Sequence, residues 1–295
     1  MTTSGTTGAE SPLASAISVA TGETERWAGE TSGLAGAATG LAGAAGHAAR
    51  AVSSVPGEAA EPFQRARRPE QKQQRREDIL AAARDLALAD GVRGVSLAGI
   101  AARAGIDKSA LLRYFETREQ IFLELTAREW GPWLRALHDD LDGVPAGFAD
   151  AAGLVADVVA RSFGDRPLFC DLLAHTPLNL ERNVSPEAVR GYKLISLAAV
   201  AEAADVVHRA LPELTEQECR EFIAAIASLA GSLWQIANPV PALAALYAAD
   251  PALASACVDL VPRLQRTAEI LLAGLIPSRD PTRGDRQPAH LTADR

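Results

Sequence analysis

Apolar residues in the middle of the chain recur with a helical period, in successive short blocks. Ile79, Leu80, Ala83, Leu86 and Ala87 fall on one helix face, and Gly91 follows as a stop. Leu97, Ile100, Ala101 and Ala104 then repeat at i, i+3, i+4 and i+7 behind Ser96, whose hydroxyl is of the type that caps a first turn. Gly105 suits the left-handed conformation that closes a helix. Asp107 is placed to cap a second short helix, which turns Leu111 inward and leaves Lys108, Ser109, Ala110, Leu112 and Arg113 near its outer face. Two short helices joined at a glycine, with a third amphipathic helix over them, have the form of a helix-turn-helix over about 96–115.

From residue 118 onward the pattern predicts helices near 118–141, 147–163, 166–175, 186–211, 216–237 and 251–275. Thr117 and Thr215 each stand three residues before Gln or Glu, the spacing of a capping box. Ser185-Pro186 and Asp250-Pro251 each place proline just behind a capping residue. Gly131-Pro132 should kink the first of these helices and is a candidate hinge. No period-two pattern persists, so the expected fold is all-α. Phe222 to Ala249 carries no charged residue over 28 positions, but Gln235, Asn238, Pro239 and Pro241 interrupt it. It reads as a buried or dimer-forming helix followed by a proline-rich loop, with no membrane span.

Composition refines this. Hydrophobic residues make up 48% of the 295, yet aromatics only 5%, so alanine supplies much of the apolar count and favours close-packed helices. Residues 1–63 are rich in Gly, Ala, Ser and Thr, with a near-repeat at 33–38 and 40–45, and read as a disordered low-complexity tail. A regulatory arm and a start site placed too far upstream are both compatible with it. Residues 277–295 read as a second, frayed tail. The chain is net −8, but residues 64–125 hold 12 basic and 9 acidic residues and are net +3. Arg65, Arg67, Arg68, Lys72, Arg75 and Arg76 open that segment, either as a solvated linker or as an arm on phosphates or the minor groove. Cys170, Cys219 and Cys257 are widely spaced, which argues against a disulfide framework or a zinc site. They read as small buried residues in a reducing cytoplasm, and the first 25 residues lack the basic start and continuous apolar core expected of a signal peptide.

With these residues in place, 75–125 resembles the DNA-binding domain of the tetracycline-repressor (TetR) family. The features that carry the likeness are Ile100-Ala101-Ala102-Arg103-Ala104-Gly105-Ile106, then Tyr114-Phe115, then Arg118 where the family more often has lysine. The resemblance implies a helix-turn-helix DNA-binding domain over 64–126 and a helical effector-binding and dimerisation domain over 127–276. It implies that Lys108, Ser109 and Ala110 reach bases and phosphates, and that Tyr114 and Arg118 contact phosphate. Family members commonly carry Thr in place of Ala110 and an aromatic in place of Leu112, so the phosphate contacts those positions supply are missing here; Ala110 suits a thymine methyl instead. Arg113 is the candidate for guanine, with phosphate as the alternative. Ser96, Arg67 and Arg68 complete the DNA-binding set.

The resemblance further implies a homodimer through the last two long helices, a pseudo-palindromic double-stranded operator, and release by a small, largely apolar effector. Pocket candidates are Trp130, Trp133, Phe163, Phe169, His175, Asn179, Tyr192 and Trp234, each of which also reads as plain core. Two other readings compete with a repressor. An enzyme or small-molecule carrier with an incidental helix-turn-helix lacks support, because no nucleophile elbow, phosphate loop or metal-spaced cluster is present, and no cofactor is expected. An architectural DNA-binding protein would need a basic body, whereas residues 126–295 hold 15 basic and 22 acidic residues.

Overall fold

The computed structural model describes residues 63–142, 144 and 150–276, with side chains from residue 70 onward, Ala254 excepted. The tails expected over 1–63 and 277–295 lie outside the described residues, save Phe63, which opens the first helix. Every regular element described is helical, in agreement with the all-α expectation.

The head comprises α1 (Phe63–Gly94), α2 (Leu97–Arg103), α3 (Lys108–Leu111) and the first turns of α4 (Arg118–Leu141). The arginine-rich stretch that the sequence left as a linker or arm is part of α1. Regular helix stops at Gly91, whose φ of 71° and ψ of 155° redirect the chain toward α2. Ile79, Leu80, Ala83, Ile100, Leu111, Phe115, Ile121 and Phe122 form the buried centre of the head.

The body continues along α4 and adds α5 (Ala151–Gly164), α6 (Pro167–His175), a π-helical turn (Thr176–Leu180), α7 (Pro186–Ala210), α8 (Glu216–Ala237), α9 (Pro241–Ala249), a 3-10 turn (Pro251–Ala256) and α10 (Leu260–Leu275). Helix α4 packs on α7, α6 on α8, and α5 on α10, so the core runs through the centre of the bundle. Helix α6 also meets α1 and joins body to head. Helices α6 and α8 cross closely at Gly231, where an added Cβ would lie 2.7 Å from the Ala174 backbone nitrogen.

Three boundaries differ from the sequence expectation. Helix α5 begins at Ala151 rather than 147, and 145–149 lie outside the described residues. The helix expected over 251–275 divides in two. Asp250 caps only the 3-10 turn, accepting from the Ala252 N–H at 2.9 Å, and α10 starts again at Leu260. Pro262 explains the division. In an unbroken helix its ring would strike the Val258 carbonyl, whereas the restart puts it in the first turn, where its missing N–H costs nothing. The proline-rich loop expected after α8 contains the nine-residue α9, with Pro241 at its first position. At Gly131-Pro132, where a kink is expected, α4 continues as one helix without the Pro132 N–H, and Pro132 lies on its exposed side.

Candidate nucleic-acid interface and effector core

Helix α2 is capped as its sequence dictates: the Gly99 N–H donates to Ser96 Oγ at 3.0 Å. Gly105 has φ 69° and closes the turn. Asp107 occupies the cap position of α3 with extended backbone, but its side chain makes no capping bond. Leu111 is fully buried and seats α3 from behind. This leaves Lys108, Ser109, Leu112 and Arg113 exposed and Ala110 and Tyr114 half-buried, so one surface carries six of the sequence-predicted DNA residues. Arg67 and Arg68 fall within α1, and their side chains lie outside the described residues. An open cleft of about 620 Å³ beside Tyr114 is lined by Gln71, Lys72, Gln74, Arg75 and Asp78 of α1.

Two arginines face inward instead. Arg118 donates from Nε to the Val95 carbonyl and from Nη2 to the Val92 carbonyl, and its guanidinium lies 4.7 Å from the Phe122 ring centre. It thus pins the start of α4 to the turn after α1, and a phosphate contact would compete with those bonds. Arg76 donates to the Tyr114 carbonyl at 2.8 Å, pairs with Glu124, and covers the Phe115 ring at 4.1 Å. It holds the end of the reading element against α1 and α4. Sequence reading placed Arg76 only in a basic approach, because nothing local reveals a partner 38 positions away. Arg128 adds bonds to Glu77 and Glu124. Its guanidinium holds the Glu77 carboxyl below the ordinary value.

In the body, Trp130, Trp133, Phe163 and Phe169 form one aromatic cluster, with ring centres 4.9–6.2 Å apart and edge-on, tilted and stacked pairs. Trp133 Nε1 donates to Ser162 Oγ at 2.9 Å. Trp130 Nε1 and Asn179 Oδ1 are buried without a partner of hydrogen-bond geometry. Tyr192 is buried nearby. Burial pushes its hydroxyl up to about 12, while the polar neighbours Trp130, Thr176 and Ser196 pull the other way. The aromatic cluster has one polar corner, where Trp130 of α4, Thr176 of the π turn and Tyr192 of α7 meet. Trp234 is half-buried on α8 and packs against the core. His208 is satisfied locally, with Nδ1 2.8 Å from the Leu214 carbonyl oxygen.

His175 lies one turn after Asp171 on α6, with Nε2 3.4 Å from Asp171 Oδ1. Asp171 is a residue that sequence reading missed. Its Oδ2 accepts from the Val92 N–H and its Oδ1 from Gln235 Nε2, each at 2.7 Å. Burial raises its pKa, but the bonds from His175, Val92 and Gln235 outweigh that and hold it below the usual carboxylate range. The available signal was an acid between Phe169-Cys170 and Leu172-Leu173 in an otherwise apolar helix. Cys170 and Cys219 are buried as expected, but Cys257 is exposed, because it lies in the break before α10.

Among the described residues, no group of three His, Cys, Asp or Glu is arranged to hold a metal ion. No single described helix is long and apolar enough to cross a membrane; α8 and α9 pass that test only together, and they meet at a bend of 69°.

Residues 127–279 match the family described as "Tetracyclin repressor-like, C-terminal domain", and residues 79–125 match "Bacterial regulatory proteins, tetR family". No curated protein matches the chain. Among solved structures, FadR from Bacillus subtilis in complex with stearoyl-CoA is 16% identical, with 67% of this chain and 98% of that chain covered and a TM-score of 0.44. Thermus thermophilus FadR, a repressor in complex with lauroyl-CoA, is 18% identical, with 71% and 100% covered and a TM-score of 0.44. These two likenesses carry no argument about what this chain binds. The family match alone spans more than half of the sequence, and its two parts coincide with the head and the body: the chain belongs to the TetR family of transcriptional regulators, with a helix-turn-helix DNA-binding domain and a helical ligand-binding domain.

Proposed function

We propose that this protein is a ligand-responsive repressor that binds a pseudo-palindromic operator as a homodimer, is released by a small, largely apolar effector, and catalyses no reaction. The observation that carries the reading is the exposed row Lys108, Ser109, Leu112 and Arg113 on a short helix seated by buried Leu111. In a segment that is net +3 on a chain that is net −8, this is the face on which DNA attraction concentrates. Arg113 is the base reader, and Lys108, Ser109 and Tyr114 hold the backbone. Arg118 serves the head from within, through Val92 and Val95.

Pairing of two chains is supported by α9, which has no buried residue although its sequence is Pro-Ala-Leu-Ala-Ala-Leu-Tyr-Ala-Ala. Val240 and Leu246 there, Ile236 on α8 and Ile270 on α10 are 46–63% exposed. A second copy that covered them would also set two reading helices on one side of the DNA. The effector reading is supported by Asn179 Oδ1. An unpaired buried polar atom costs about 1–3 kcal/mol, which a ligand with one donor on an apolar frame would recover. An effector that prefers one arrangement of head and body changes operator affinity by its differential affinity for the two.

The test is enrichment of bound sequences from a random duplex pool with the full chain. Recovery of two inverted half-sites is the expected result. A folded protein that enriches nothing, or a single unrepeated site, would overturn the reading.

A further inference from the structure

Val92 is held at both of its main-chain polar atoms. Its N–H donates to Asp171 Oδ2 in the body, and its carbonyl accepts from Arg118 at the start of α4. Gly91 makes this possible, since its φ of 71° ends the regular helix and takes the following N–H out of the α1 ladder. A Cβ added at Gly91 would lie 3.5 Å from Asp171 Oδ2. The carboxylate is in turn held by Gln235 of α8 and faced by His175. It is 8% exposed, so water cannot readily replace a lost partner.

Helix α6 also touches the effector core. Phe169 is in the aromatic cluster, and two residues later the same helix carries Asp171. It then passes through His175 into the π turn that contains Asn179. π-Helical turns often mark functional positions and offer a backbone with a second arrangement close by. An occupant at the polar corner beside Trp130, Thr176 and Tyr192 would press on this turn and so displace α6. A charge-assisted hydrogen bond depends steeply on distance and angle, so a small displacement of α6 would change the hold on Val92.

We propose that Asp171 is a positioning residue for DNA reading, fixing the head to the body through the Val92 N–H and passing displacement of α6 to the turn that precedes the helix-turn-helix. This rests on the regulator reading above. Helix α4 passes directly from head to body, and the Asp171 bond is a second link, made to the far side of the same turn. With both intact, the two ends of that turn are fixed; without Asp171 the head swings about α4.

The experiment uses the full chain and the operator recovered by enrichment. Asp171→Ala should weaken operator binding at least tenfold while the circular dichroism spectrum stays helical. Asp171→Asn should stay within about threefold of wild type, because its carbonyl oxygen can still accept from Val92 and the Gln235 amide can turn to match it. In the wild-type protein, which tests the link without any substitution, the Val92 amide should exchange its hydrogen at least tenfold more slowly when the operator duplex is bound. An Ala variant that is folded and binds within twofold of wild type overturns the proposal. So does a Val92 amide indifferent to the duplex, which decides the matter even where the Ala variant does not fold. If the wild-type protein itself enriches no sequence, the regulator reading fails and the proposal falls with it, an outcome distinct from either of the others.

Discussion

Replacing Arg118 with alanine separates two jobs that the sequence could not tell apart. As a phosphate contact, the side chain would matter only when DNA is present. In the structure its guanidinium donates to the Val92 and Val95 carbonyls and covers the Phe122 ring, and it is 18% exposed. A hydrogen bond from a charged donor contributes about 1.5–3 kcal/mol, so two of them, discounted for the exposed edge, give about 3 kcal/mol for the Ala variant. For a chain of this size that corresponds to a fall in Tm of about 6–12 °C. The assay is urea unfolding of the full chain without DNA, followed by tryptophan fluorescence, beside Arg118→Lys and Arg113→Ala. Lysine carries a donor of similar reach and should recover about half of the loss, since it cannot serve both carbonyls with a planar fork. Arg113 is exposed, and its removal should leave stability within about 0.5 kcal/mol while weakening operator binding. If the Arg118→Ala protein unfolds at the wild-type midpoint but no longer binds operator, the inward role is wrong and the phosphate role stands.

Three further outcomes are expected. Burial holds the Cys170 thiol up at about 12 and the Cys219 thiol at about 11, while Cys257 is exposed, so Ellman's reagent should label one thiol quickly in the native protein and all three after denaturation. Asp171 has a carboxyl lowered from its ordinary value of 3.8, so its contribution is complete above that pH and is lost as pH falls through the lower folded value. A stability profile from pH 5 downward should therefore be flatter in Asp171→Asn than in wild type, and parallel profiles would count against the ionised carboxylate. Gly231→Ala should cost about 1–3 kcal/mol in urea unfolding, because its Cβ would meet Ala174 backbone rather than a movable side chain; an unchanged midpoint would mean that α6 and α8 do not cross as described.

What was legible in the sequence was local. Thr117, Ser185 and Thr215 sit where their hydroxyls accept from the first turns of α4, α7 and α8, and those three helices begin where the caps place them. The outer row of α3 followed from Leu111 turning inward. Proline misled twice for one reason: its effect depends on its position within a helix. Pro241 opens α9 instead of marking a loop, and Pro262 divides a helix that the apolar pattern alone would have continued. The inward roles of Arg76, Arg118 and Asp171 were not legible. Each depends on a partner 23 to 79 positions away, often a backbone atom, and no spacing rule encodes that. Four of the aromatic residues named as pocket candidates, Trp130, Trp133, Phe163 and Phe169, gather around one centre, but the polar corner made by Trp130, Thr176 and Tyr192 emerges only from three-dimensional packing.

That Val92 is gripped by its main chain has a consequence for how such a protein can change over generations. Neither Asp171 nor Arg118 touches the Val92 side chain through these bonds, so position 92 is free to drift among residues that fill the same space. The surface proposed to select DNA, from Lys108 to Arg113, makes none of these bonds either. On that proposal its residues can be exchanged to suit a new target site while the Asp171 and Arg118 bonds behind them stay as they are. The core proposed to receive the effector can likewise be reshaped for a different chemical cue, provided α6 still delivers one carboxylate to one amide. Input and output can then diversify separately, as replaceable ends on a common shaft.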